Sequence, residues 1–358
     1  MKVIDMHCDT IQQIWYSRLR GEPVSLRNSG LMIDLEKMKK GGYLLQNFAV
    51  YTNLHLPKNF DGNERAPGSG DTSAENHDQY IDPWYAAAEM IRVFHEEIDA
   101  NPDLIGQVRT YKDIEENSRK GIMSGLLTIE EGGILQGDIS RIAELHREGV
   151  RMMTLTWNYE NELGYPNHPL PGFETDFRKY FAFVPEKGNG LKKAGFEALR
   201  EMERLGIIPD VSHLSDEGFY DVARTVRGPF VASHSNARSV TGCNRNLTDD
   251  MIRIIAEHGG VTGLNFCQAF VSEGPTDDQC VCSLEGLCRH ARHIMNVGGR
   301  EVLGFGTDFD GISPGRLEIE DASKMQHLCE YMEKQGFTHE EIEGIFYKNV
   351  LRVYREVL

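Results

Sequence analysis

Short apolar runs recur along the chain, and several of them carry a histidine or a carboxylate at or next to their last residue. They are "VIDMH" from Val3, "LLQNFAVY" from Leu44, "GLLTIE" from Gly125, "RMMTLTW" from Arg151, "IIPDVSH" from Ile207, "FVASHS" from Phe230, "GVTGLNF" from Gly260 and "EVLGFGTDF" from Glu301. Runs of this length, rich in β-branched and aromatic residues, read as buried strands. Between most of them the apolar spacing changes to that of a helix, as in "WYAAAEMIRVFHEEI", "ISRIAELHREG", "GFEALREMERLG", "DEGFYDVARTV" and "TDDMIRIIAEHGG". Strand alternating with helix predicts a parallel sheet joined by right-handed crossovers. Eight such units predict a (β/α)8 TIM barrel, and with no linker or repeat dividing residues 1–358 the expectation is a single domain.

Three segments fall outside the rhythm. Residues 53–80 are polar and rich in Gly, Asn and Asp, so they read as a loop insertion after the second strand, on the face where a barrel carries its active site. The C-terminal stretch "THEEIEGIFYKNVLRVYREVL" opens with a capping box from Thr338 to Glu341 and continues as an amphipathic closing helix. The run "QCVCSLEGLCRHARH" sets Cys280, Cys282 and Cys288 before His290 and His293 and imitates a zinc cluster. Its spacing fits no common finger, and Leu284, Leu287, Ala291 and Ile294 form a helical stripe, so a helix is expected there.

Composition narrows the function. A formal charge of -17 argues against nucleic acid or an anionic membrane surface as partner. Seven scattered cysteines, no export signal and no long apolar run predict reduced thiols in a cytoplasmic protein.

The chemistry gathers at the strand ends. In "VIDMHCD" alternate side chains share a face, so His7 and Asp9 point one way and Cys8 the other. Glu130, His213, His234 and Asp308 lie last or next to last in four further runs. A barrel brings its carboxyl strand ends to one rim, and three imidazoles with three carboxylates there suit zinc or a neighbouring divalent ion. Six donors exceed one open tetrahedral site, which favours two ions with Glu130 as the bridge.

The separated motifs "PDVSHLS", "VASHSNA", "NRN", the opening "DMHCD" and the late "GTDFDG" together resemble the renal or membrane dipeptidase family of metal-dependent amidohydrolases, from residue 3 to about residue 355. The resemblance implies a zinc-dependent dipeptidase with two Zn2+ per chain, acting through a metal-bridged hydroxide on small dipeptides, including those with a D-residue at the C-terminal position. His7 and Asp9 would bind one zinc, His213 and His234 the other, and Glu130 both. Asp308 matches the family's proton-handling aspartate, and Arg245 the arginine that pairs with the substrate's terminal carboxylate. Of the neighbours Glu130 and Glu131, the former keeps the family's spacing to the next strand, so Glu131 is expected to point away. Where relatives carry a substrate-contacting histidine this chain has Trp157, with Asn158 or Tyr159 as substitute donors, and Cys267 stands where a tyrosine is common. A lactam or lactone hydrolase and a catalytically silent metal binder are the alternatives, and a homodimer is compatible with either.

Overall fold

The computed structural model describes residues 1–63, 80–167, 189–274 and 279–358. Nine strands form one parallel sheet: β1 (Val3–Asp5), β2 (Tyr43–Tyr51), β3 (Ile105–Val108), β4 (Met123–Glu130), β5 (Val150–Thr154), β6 (Ile208–Asp210), β7 (Val231–Ala232), β8 (Val261–Leu264) and β9 (Leu303–Phe305). The ring runs β1, β2, β4, β5, β6, β7, β8, β9 and returns to β1, closing an eight-stranded barrel. Every barrel strand overlaps one of the apolar runs identified in the sequence, with β2, β4 and β5 starting one or two residues earlier, at Tyr43, Met123 and Val150.

The ninth strand was not anticipated. β3 stands outside the ring and pairs with β4 from Met123 to Leu126, on the edge that β5 takes over from Leu127 onward. Only the ends of "IGQV" are buried, so it carries neither a continuous run nor a clear alternation. The insertion expected over residues 53–80 lies largely, from residue 64 to residue 79, outside the described residues. The imitation zinc run is a helix at Leu284–Gly298, with Leu287, Ala291 and Ile294 buried as the stripe predicts.

Burial follows the layers of a barrel. Ile4, Leu45, Leu126, Met152, Ile208, Val231 and Val261, one residue from each of seven ring strands, pack with Val350, Val353 and Tyr354 of the closing helix Asn349–Val357. Several of these begin their strands, so the closing helix stoppers the amino end of the barrel. The anticipated capping box is present, Thr338 and Glu341 each bonding the other's backbone N–H. Function is thereby confined to the opposite, carboxyl rim.

Candidate metal centre

β6 stops at Asp210 and β7 at Ala232, so His213 and His234 lie just beyond the ladder, whereas Glu130 is the last residue of β4. His213 and Asp308 have positive φ, 67° and 64°, a left-handed backbone that non-glycine residues rarely adopt. Such strain costs of order 1–3 kcal/mol and persists where the surroundings hold it. Here it turns both side chains over the mouth instead of along the strand.

The six strand-end residues converge. Glu130 is 3% exposed and lies at the middle: its Oε2 is 3.5 Å from His7 Nε2, and its Oε1 is 3.1 Å from His213 Nε2 and 3.4 Å from His234 Nε2. His7 Nε2 is also 3.6 Å from Asp9 Oδ2 and 3.9 Å from Asp308 Oδ1. Two triads have donor atoms within 4.8 Å of one another, His7 with Glu130 and His234, and His7 with Asp9 and Asp308.

Three observations fit this cluster to a divalent cation. Donors at about 2.1 Å from a tetrahedral ion are about 3.4 Å apart, close to the spacings around Glu130. His7 Nε2 and Asp9 Oδ1 are buried without any hydrogen-bond partner, a costly condition unless something else satisfies them. The two far imidazoles also present lone pairs to each other. His213 Nδ1 is 3.0 Å from Asn158 Oδ1, so the proton sits on Nδ1. Ser233 gives its hydroxyl proton to Asp210 Oδ2, so it accepts from His234 Nδ1 at 2.7 Å. Both Nε2 atoms are then unprotonated, yet only 3.0 Å apart. A cation relieves that repulsion.

Electrostatics agree. Burial lowers the pKa of His213 and His234 well below that of a free imidazole, helped by Arg245 and His7, which keeps both rings neutral and able to ligate. Burial also opposes a charge on His7, but Glu130 and Asp9 outweigh it and raise its pKa well above the ordinary value. Burial and neighbouring carboxylates push Glu130 up to about 7 and Asp308 up to about 6. Crowded acids of this kind are discharged by a bound cation.

The remaining predicted residues divide. Cys8 is fully buried on the other side, its Sγ 3.4 Å from Asn47 O, as pleat geometry requires. Glu131 does turn away: at φ 91° its carboxylate accepts from Gly133 N at 2.6 Å, Trp157 N at 2.9 Å and Asn161 Nδ2 at 2.5 Å. Arg245 is 3% exposed; its Nη1 donates to Ser235 Oγ and its Nη2 to the His234 carbonyl, both at 3.2 Å, and its Nε has no partner. Trp157 is half-buried beside His213, with ring centroids 6.0 Å apart. Asn158, expected to face substrate, is instead fully buried and bonded to the far side of His213. Asn158 thereby orients the His213 ring.

Three contributors escaped sequence reading. Asp210 accepts from Ser212 N at 3.0 Å, Ser233 N at 2.8 Å and Thr154 Oγ1 at 2.7 Å, and so anchors the serine behind His234. Asn265 Nδ2 donates to Asp308 Oδ2 at 2.9 Å. A Cβ on Gly311 would lie 2.0 Å from Asp9 Oδ2 and 2.6 Å from Asp308 Oδ1, so those carboxylates occupy the space of a missing side chain. Polar residues inside buried strands, such as Asp210 in "IIPDV", were the available signal.

A parallel barrel with a mixed imidazole and carboxylate donor set at its carboxyl rim defines a metal-dependent hydrolase of the barrel type. The sequence profile of the membrane dipeptidase family, peptidase family M19, matches residues 1–358, and the chain belongs to that family. An uncharacterized dipeptidase of Schizosaccharomyces pombe is 35% identical over 227 residues, 63% of this chain but only about half, 51%, of the yeast protein. A Klebsiella pneumoniae protein encoded in the pqqA 5' region is 30% identical over 247 residues, 68% of this chain and 86% of its own. Among solved structures, a Rhodobacter sphaeroides metallopeptidase liganded with a phosphinate mimic of the dipeptide L-Ala-D-Ala superposes with a TM-score of 0.83 at 26% identity, covering 100% of this chain and 99% of its own. The Pseudomonas aeruginosa probable dipeptidase PvdM, at 17% identity, TM-score 0.77 and coverage of 97% and 98%, shares the fold.

Proposed function

We propose that this protein is a metallo-dipeptidase that holds two zinc ions and hydrolyses the peptide bond of small dipeptides, with a D-residue accepted at the C-terminal position. The observation that carries the reading is the double face of Glu130, one carboxylate oxygen toward His7 and the other toward His213 and His234. In the proposal His7 and Asp9 hold one ion, His213 and His234 the second, and Glu130 both.

Bound divalent ions supply Lewis acidity and bring water toward ionisation at neutral pH. The chain supplies the rest. Arg245, buried and with an unpartnered Nε, pairs with the substrate's terminal carboxylate and sets the register of the dipeptide. Asp308 Oδ1 faces the centre while Oδ2 is held by Asn265, so one oxygen remains to take a proton from the attacking water and return it to the leaving amine. Asn158 and Ser233 hold the imidazoles in the ligating tautomer. The Rhodobacter enzyme's dipeptide mimic supports a substrate of this size and stereochemistry.

The test couples metal analysis of the purified protein to a panel of dipeptides with L- and D-residues at the second position, run beside simple lactones and lactams. About two zinc ions per chain and turnover of the dipeptides is the expected result. Turnover of lactones alone, or full metal content with no hydrolysis, would sink the proposal.

A further inference from the structure

Beside the metal centre an aromatic surface remains that the proposed chemistry does not use. Tyr51, at the end of β2, meets Trp157 edge to face with ring centroids 4.8 Å apart. Trp157 continues to Tyr159 at 5.4 Å, and Tyr159 to His55 at 4.9 Å. The other side of Trp157 looks onto His213. These rings form a connected wall from the metal centre outward, in which Tyr51, Trp157 and His55 are only half-buried.

The wall is fixed. The backbone N–H of Trp157 donates to the buried Glu131 carboxylate, which is itself locked by Gly133 and Asn161. The Tyr159 hydroxyl is occupied by Asn53 Oδ1 at 3.0 Å. What faces the mouth is therefore ring surface held in place, which favours an apolar or aromatic guest with little ordering cost on the protein side.

Ring order sets its place relative to substrate. In the sequence β1, β2, β4, β5, β6, β7, β8, β9, strands β2 and β7 are half a turn apart. Tyr51 and Trp157 extend from β2 and β5, flanking Glu130 on β4, whereas Arg245 follows β7. A dipeptide with its carboxylate on Arg245 and its peptide bond over Glu130 thus carries its N-terminal side chain to the wall. Resting on the dipeptidase reading, we infer that Trp157 is a specificity-determining residue, and that the preferred substrates carry a large apolar or aromatic side chain at the N-terminal position.

The experiment compares kcat/KM for Phe, Leu, Gly and Lys placed before a fixed C-terminal alanine, in the zinc-loaded wild type and in Trp157→Ala and Trp157→Phe. The expected ratio of Phe to Gly is at least about ten-fold in the wild type. It collapses toward unity in Trp157→Ala, through KM, and is largely restored in Trp157→Phe. Binding of non-hydrolysable phosphinate mimics with Phe or Gly at the same position is read in parallel by calorimetry. A flat ratio in the wild type, a ratio unchanged in Trp157→Ala, or a preference for Lys over Phe and Leu overturns the inference. If no dipeptide is turned over but the Phe mimic binds at least about ten-fold more tightly, the wall stands and the dipeptidase reading falls. Failure of both turnover and selective binding removes both.

Discussion

At the amino end of the barrel the closing helix meets apolar side chains from seven strands, and its buried Tyr354 hydroxyl donates to Asn47 Oδ1 at 2.8 Å. At the carboxyl rim, Asp9, Glu130 and Asp308 crowd around His7, buried polar atoms of His7, Asp9 and Arg245 lack partners, and His213 and Asp308 sit on left-handed backbone. The first region spends its residues on packing and the second on strain and unpaired charge. Stability and chemistry have been separated to the two ends of one set of strands, so a substitution should disturb one property and spare the other.

The sharpest break of that comparison is Glu130→Gln. It keeps the shape but removes the negative charge between the imidazoles, and the loss should exceed the about 10–100-fold typical of an outer partner of a metal ligand. Zinc content and kcat/KM should fall together while thermal stability of the metal-free protein is retained or rises. Unaltered metal content would show that the carboxylate is not central.

A second test concerns His290, which lies outside both ends and braces a rim loop. Its Nδ1 accepts from Ala237 N at 3.2 Å, and its Nε2 faces the Val271 carbonyl at 3.2 Å, so a proton on Nδ1 would oppose an N–H. Burial lowers its pKa to about 4 from an ordinary 6.5. Below pH 6.5 the unfolded chain gains a proton that the folded chain refuses until about pH 4, so this group's contribution falls as pH drops through that window and is constant above it. The difference amounts to about 3 kcal/mol across the window. Urea unfolding of wild type and His290→Gln between pH 7 and pH 4.5 should show a shallower decline in the variant; parallel curves would remove the assignment.

The smallest effect belongs to the amino end. Tyr354→Phe leaves Asn47 Oδ1 without its donor and should cost about 1–2 kcal/mol of stability. Metal content and kcat/KM should not change. A loss of activity greater than the loss of folded protein would show that the two ends are coupled.

How much of this was legible in the sequence depended on burial. Eight barrel strands announced themselves because each is a nearly uninterrupted buried run. β3 did not, since Gly106 and Gln107 are half-buried, and neither did the helix Thr10–Leu19, where buried Thr10, Gln12 and Ser17 blur the short stripe of Ile11, Ile14 and Trp15. The membrane dipeptidase resemblance holds across the whole chain. The rim residues were legible because a barrel puts strand ends together whatever their distance in sequence. Their supports were not, because orientation depends on single bonds: Asn158 lies behind His213, and Asp210 reaches the His234 ring through Ser233.

Gly311 deserves a last consequence. The carboxylates of Asp9 and Asp308 stand where its side chain would begin, so the shape of the centre depends there on an atom the chain never acquires. In a mutational library such a position tolerates almost no letter, although it would score as neither acid, base nor ligand. The wall at Trp157 is the opposite case, a place where replacement should change which substrate is preferred before it harms the centre. Engineers seeking a new substrate range have one position to leave alone and another at which to begin.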